Sequence, residues 1–127
     1  MSQLPKLFLF LGSLNAMLAV LLGAFGAHAL RGRVAPDLMA VYRTAEQYHF
    51  YHALGLLGVG LVALHLPGSA LVKWSGWLML AGIVLFSGSL YALALSGVRW
   101  LGAITPIGGT AFIVAWLVLC IAVWRAA

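Results

Sequence analysis

The sequence predicts an all-α integral membrane protein: a bundle of four antiparallel transmembrane helices, with a short interfacial helix before the second. Three observations carry this. Of the 127 residues, 65% are hydrophobic and 7% are charged, a balance far from that of soluble globular domains. The few charges divide the chain into four apolar runs, each near the roughly 20 residues that a helix needs to cross a hydrocarbon core about 30 Å thick. The connections between runs are short, which makes neighbouring helices antiparallel. Helices follow from the solvent, because lipid offers no partner to a free amide or carbonyl. A membrane barrel needs alternating polarity, and the sequence has none.

The first run spans about Leu7 to Leu30. Lys6 precedes it and Ala27-His28-Ala29 closes it, the outline of a cleavable secretory signal, but the run is too long for a signal core and reads as a retained helix. The second run extends from about Glu46 to Leu66, the third from Trp74 to Gly97 and the fourth from Gly108 to Trp124. The loops are Arg31 to about Arg43, Pro67 to Lys73, and Val98 to Ile107, the last containing Thr105-Pro-Ile-Gly-Gly109. The second helix has two candidate starts: Asp37, just after Pro36, which gives an unbroken helix of about 30 residues and about 45 Å, and Thr44, where Thr44-x-x-Gln47 has the pattern of a capping box; the second is favoured, with Asp37 to Arg43 forming the interfacial helix. All 127 residues form one domain.

Glycine and serine recur inside the runs, as at Gly12, Gly23, Gly26, Gly55, Gly58, Gly82 and Gly88. Small residues let membrane helices approach closely, and four short helices leave such faces over once each has packed on its neighbour, so self-association is expected. Phe10-Leu-Gly-Ser-Leu-Asn-Ala16 and Phe86-Ser-Gly-Ser-Leu-Tyr-Ala92 share Phe, Gly, Ser, Leu and Ala in register, a faint echo between the first and third helices.

The net charge of +5 comes from seven basic residues spread singly along the chain. They read as headgroup anchors rather than as a nucleic-acid surface. Trp74, Trp77, Trp100 and Trp124 fit interfacial belts. His65 fits a cap at the end of the second helix. Basic residues are balanced across the loops, and Arg43 tilts the reading towards a cytoplasmic first loop with both termini outside. The single Cys120 forms no disulfide within the chain.

The chemistry concentrates in Thr44-Ala-Glu-Gln-Tyr-His-Phe-Tyr-His52, which holds one of only two acidic residues and two of four histidines. At 100° per residue Arg43, Glu46, His49 and His52 follow one another in 60° steps along a slanting polar band. Arg43 can pair with Glu46 at i+3 and reach Gln47 at i+4. His28, just inside the end of the first helix, is expected to face Glu46 across the hairpin. An ionisable group in or near a membrane is costly unless paired, and is a functional hypothesis by default.

Four readings of this band stay open: a structural anchor, a proton, ion or small-solute pathway, a metal or haem site, and a docking surface for a larger membrane complex. Asn15, Ser89 and Tyr91 are candidates to line a pathway. Glu46-x-x-His49 is half of a di-iron motif, but the chain has too few further carboxylates, so no cofactor is predicted; His28 with His49 or His52 keeps haem as an alternative, and the metal-ligand set is unknown. No catalytic residue is assigned, because two acids support no Ser-His-acid set and Gly55-x-x-Gly58-x-Gly60 lies inside an apolar helix.

Gly23-Ala-Phe-Gly-Ala-His-Ala-Leu30, Thr44-Ala-Glu-Gln-Tyr-His-Phe-Tyr-His-Ala-Leu-Gly55, Phe86-Ser-Gly-Ser-Leu-Tyr91 and Ile104-Thr-Pro-Ile-Gly-Gly109 resemble, in order, the YgdD-like family of small bacterial inner-membrane proteins, the domain-of-unknown-function 423 family. The resemblance covers nearly the whole chain. It implies a multi-pass, four-helix protein of the bacterial inner membrane, and supplies no activity, cofactor or partner beyond the bilayer.

Overall fold

The computed structural model describes residues 1–127; every regular element is a helix, and there is no strand. Helix α1 covers Gln3–Leu30, its last five residues from Gly26 in π geometry. Helix α2 covers Pro36–His65. Helix α3 covers Ala70–Ser96 and contains a π segment at Ile83–Ser87. A 3-10 turn at Arg99–Ala103 leads into α4, Thr105–Arg125. Gln3–Leu30, Ala70–Ser96 and Arg99–Arg125 are each long and apolar enough to cross a membrane.

The start of α2 corrects the sequence reading. No separate interfacial helix precedes it: one unbroken helix of 30 residues runs from Pro36, about 45 Å at 1.5 Å per residue. Proline at the first helical position has its φ pre-set and misses only an amide that would have no intrahelical acceptor. Asp37 in the first turn complements the positive end of the helix. Thr44 lies two turns inside, where its hydroxyl donates to the Ala40 carbonyl at 3.1 Å, so the residue that resembles a cap is satisfied by back-bonding.

Proline resets the last connection too. Thr105-Pro106 opens α4, so Thr105 to Gly109 forms a helical turn rather than the end of a loop. Gly108 then packs directly on the backbone of α3, where a Cβ would overlap the Phe86 amide nitrogen. Ser69 caps α3, its Oγ accepting from the Val72 amide at 3.3 Å. Gly97 ends the helix with a φ of 74° and donates its N–H to the Leu93 carbonyl.

The helices meet through small residues. Leu9 packs on Gly60, Gly12 on Ala53 and Leu57, Gly23 on Glu46, and Gly26 on Tyr42, so numbers fall along α2 as they rise along α1. The same holds where Gly108, Phe112 and Ala115 of α4 meet Phe86, Gly82 and Ser75 of α3. The largest core cluster, with Phe8, Leu56, Val59, Val72, Met79 and Ala115, draws on every helix. Phe8 seats on Gly76 and meets the Trp77 ring edge-on at 5.4 Å, so half-buried Trp77 packs against the core; Trp74, Trp100 and Trp124 are exposed. Outward-facing positions are apolar too: Ile113 is 71% and Phe10 61% exposed, surfaces that suit hydrocarbon contact.

Candidate functional site

The predicted polar band exists, but burial divides it. Along α2, Arg43 is exposed, Glu46 is half-buried, and His49 and His52 are 4% and 5% exposed. Because α2 begins at Pro36, His49 lies about 20 Å from that start at 1.5 Å per residue, near mid-helix and not at its mouth.

His49 is held by two other helices. Asn15 of α1 accepts from its Nε2 at 2.9 Å, and the Tyr91 hydroxyl of α3 bonds its Nδ1 at 2.9 Å. The Asn15 amide also donates through Nδ2 to the Leu11 carbonyl at 2.8 Å, which turns Oδ1 towards the histidine. An acceptor there makes Nε2 the N–H of the neutral ring, so Nδ1 takes the tyrosine proton. Protonation of Nδ1 requires only that the Tyr91 hydroxyl change from donor to acceptor. His49 can therefore gain a proton without losing either partner.

His52 is bound differently. Its Nδ1 donates to the Tyr48 carbonyl at 2.7 Å and its Nε2 accepts from the Trp116 indole N–H at 3.0 Å. The Phe112 ring stacks on the imidazole, with an interplanar angle of 9°. Indole only donates, so a proton on Nε2 would break the Trp116 bond and place N–H against N–H. His52 is fixed in one neutral tautomer and serves as a tie between α2 and α4. Trp116 and Phe112 escaped the sequence reading, although a tryptophan in mid-run signals a search for an acceptor, since its N–H needs one when buried.

Glu46 and Arg43 form no ion pair, and neither bonds Gln47; the expected pairing is absent, and the ion pair in the structure joins Asp37 and Arg99 at 3.0 Å. Instead Arg43, Glu46 and Gln47 line a cleft of about 190 Å3 between α1 and α2, closed by Gly23, Gly26 and Tyr42. Gly23 makes room for the carboxylate: a Cβ there would lie 2.9 Å from Glu46 Oε1. Tyr42, which the sequence reading also passed over, is 2% exposed and donates to the Leu22 carbonyl at 2.5 Å. Its ring meets that of Tyr91 edge-on at 5.3 Å, so one aromatic layer links the cleft to the residue that holds His49. His28 is exposed, makes no hydrogen bond and takes no part in the cleft lining, contrary to its expected place opposite Glu46.

Ser89 does not join this set. Its hydroxyl donates to the Phe86 carbonyl at 2.9 Å and bonds Thr105 at 2.7 Å, tying α3 to the start of α4. His65 bonds the Leu61 carbonyl at 3.0 Å in the last turn of α2, the capping place expected of it. Outside the aqueous limit of this cluster, Asp37 and Arg99 are both exposed, and the guanidinium holds the Asp37 carboxyl below its ordinary value by hydrogen bonding.

Residues 22–109 match the family model described as "Protein of unknown function (DUF423)", a stretch that includes His49, Tyr91, the cleft and Ser89. The UPF0382 membrane protein YwdK of Bacillus subtilis (strain 168) is 54% identical over 117 residues, covering 92% of this chain and 95% of its own. A UPF0382 membrane protein of Staphylococcus epidermidis (strain ATCC 12228 / FDA PCI 1200) is 56% identical over 117 residues, with 92% and 94% covered, and one from Staphylococcus saprophyticus is 51% identical over 120 residues, with 94% and 98% covered. No solved structure matches the chain. With the family model matching more than half its length and relatives above 50% identity over nearly all of it, the chain belongs to the DUF423 family of small bacterial membrane proteins.

Proposed function

We propose that the protein is a multi-pass bacterial inner-membrane protein, with all four helices crossing in antiparallel order, that passes protons through a site built on His49. The observation that carries this is the grip of Asn15 and Tyr91 on the two His49 nitrogens, which accommodates both protonation states. Buried ionisable groups in membrane helices are rare and mark proton or solute paths by default, and histidine is the side chain suited to exchange near neutral pH. With α2 spanning, His49 lies near the middle of the bilayer. Glu46 and Arg43 supply a polar vestibule on one side, with Tyr42 and Tyr91 as the barrier that protons pass. Both nitrogens of His49 and of His52 are engaged by protein groups, which favours a path over a metal or haem site. The protein is read as a homo-oligomer in the bilayer, to be checked by native mass spectrometry from mild detergent.

The test is flux from the purified protein reconstituted in liposomes with an entrapped pH dye and an imposed potassium diffusion potential. Proton entry above that of empty liposomes is expected, lost in His49→Gln, reduced in Glu46→Gln and retained in Trp116→Phe, which alters only the His52 tie. Absence of wild-type flux overturns the reading. The same clamp then favours a second one, since it joins α1, α2 and α3: a structural staple in an accessory subunit, recognised by a stoichiometric partner on mild solubilisation.

A further inference from the structure

At the end of the molecule away from the Glu46 cleft, a second cavity combines cationic and apolar walls. It occupies about 480 Å3 between the α2–α3 turn and the end of α4, and its polar lining includes His65, Ser69 and Arg125. It opens on the start of α3, an α-helix of 13 residues before its π segment. No carboxylate side chain serves Arg125. Asp37 and Glu46 are the only acidic side chains, and Asp37 is 28 residues from His65 along one helix, about 42 Å at 1.5 Å per residue. Arg125 has no ion-pair partner. His65 donates its Nδ1–H to the Leu61 carbonyl, which leaves Nε2 of the neutral ring an acceptor, whereas Ser69 Oγ accepts from Val72 and keeps its O–H free to donate to a ligand.

Below this cavity the lining changes to hydrocarbon without a break. His65, Leu66 and Ala126 also border a groove of about 310 Å3 formed with Leu61, Val62 and Val123. Val123 in turn borders a further apolar trough of about 500 Å3 with Trp116, Leu119, Cys120 and Trp124. A cationic head cavity that continues into an apolar groove between α2 and α4 has the polarity profile of one amphiphile.

We propose that this composite site binds a single anionic glycerophospholipid, its phosphate held by Arg125, Ser69 and the start of α3, and one acyl chain lying along Leu61, Val62 and Val123. The charge selects the lipid class. A zwitterionic headgroup would bring an ammonium beside Arg125 with no acidic side chain lining the cavity to receive it, whereas phosphatidylglycerol carries only the negative charge. Arginine is suited to hold a phosphate by two parallel donors, and the depth fits, because Arg125 ends one helix long enough to span and Ser69 immediately precedes another. The inference uses none of the His49 cluster and is independent of proton flux.

The experiment is native mass spectrometry of the full chain released from detergent containing equal concentrations of phosphatidylglycerol and phosphatidylcholine. Wild-type protein is expected to retain one phosphatidylglycerol in preference. Arg125→Gln lowers that retention by about tenfold, in keeping with loss of one charge-assisted contact, while Arg31→Gln, an equal change of charge elsewhere, leaves it intact. Val123→Trp, which fills the groove from an exposed position, lowers it too, with an unchanged thermal midpoint as the check on folding. Equal retention of the two lipids, equal loss in Arg31→Gln, or full displacement by millimolar inorganic phosphate would each overturn the proposal, the last by reducing it to a site for any free anion.

Discussion

Replacing Tyr91 by phenylalanine removes one proton donor and almost no volume. The ring keeps its edge-on contact with Tyr42, so the perturbation is confined to His49 Nδ1, which loses its donor. Hydrogen bonds between membrane helices are worth about 0.6 kcal/mol on average and about 1.7 at most. The histidine nitrogen left buried without a donor costs about 1 kcal/mol more, because no water replaces the hydroxyl. The expected loss is therefore about 1.5–3 kcal/mol, measured as denaturant or SDS unfolding in mild detergent by tryptophan fluorescence. A cycle isolates the pair: in a His49→Leu background the same Tyr91→Phe change should cost less than about 0.3 kcal/mol, since no acceptor remains to be stranded. Equal costs in both backgrounds would refute the clamp and assign the effect of Tyr91 to packing alone.

Three further outcomes follow from the same contacts. Trp116→Phe strands His52 Nε2 and should cost about 1–2 kcal/mol in the same unfolding assay. Gly108→Ala should prevent folding or lower stability by several kcal/mol, because its Cβ would overlap the α3 backbone, which cannot rotate away; Gly58→Ala, with nothing within 4 Å, should be neutral or gain up to about 1 kcal/mol from helix propensity. The folded Asp37 carboxyl is held below its ordinary value by Arg99, so its contribution is present above the unfolded aspartate pKa and is lost as pH falls through the lowered folded value. Thermal midpoints should show a small, salt-sensitive acid loss between about pH 5 and about pH 2, absent in Asp37→Asn; an identical acid loss in that variant would discard the clasp.

What could be read from the sequence follows from the physics of each signal. The apolar runs are strong because lipid tolerates only helices, and four helices are present. Helix starts are weaker signals, because local patterns compete. Thr44-x-x-Gln47 and Pro36-Asp37 both mark a helix start, and the proline prevails, since a threonine hydroxyl can be satisfied within a helix while proline is tolerated best at its first turn. Periodicity placed Glu46, His49 and His52 on one slanting band, but angle around an axis carries no depth or partner. The pairing of Arg43 with Glu46 was allowed by spacing and is not made, while Asp37 and Arg99, 62 residues apart, do pair. Gly23 and Gly26 were legible as packing residues; that they make space for Glu46 and Tyr42 depends on a neighbouring helix.

The echo between the first and third helices gains a meaning that neither segment has alone. Aligning Phe10–Ala16 with Phe86–Ala92 places Asn15 opposite Tyr91, one of the two positions where the copies differ, the other being Leu11 against Ser87. The Asn15 and Tyr91 side chains take opposite nitrogens of the same imidazole. An amide carbonyl can only accept, and so fixes one proton on His49, while a hydroxyl can either donate or accept, and so leaves the other nitrogen free to change state. Two identical partners would not do this: two carbonyls would demand the charged ring, and two hydroxyls would leave the tautomer undefined. A shared Phe-x-Gly-Ser-Leu-x-Ala frame, with Asn15 exchanged for Tyr91 at its second variable position, thus puts a fixed partner on one side of His49 and an adaptable one on the other. His52, whose partners are a carbonyl and an indole N–H, has no adaptable side. The two histidines lie three residues apart on one helix, and the difference in what they can do lies in their partners: side chains of α1 and α3 for His49, the Tyr48 carbonyl of α2 and the Trp116 indole of α4 for His52.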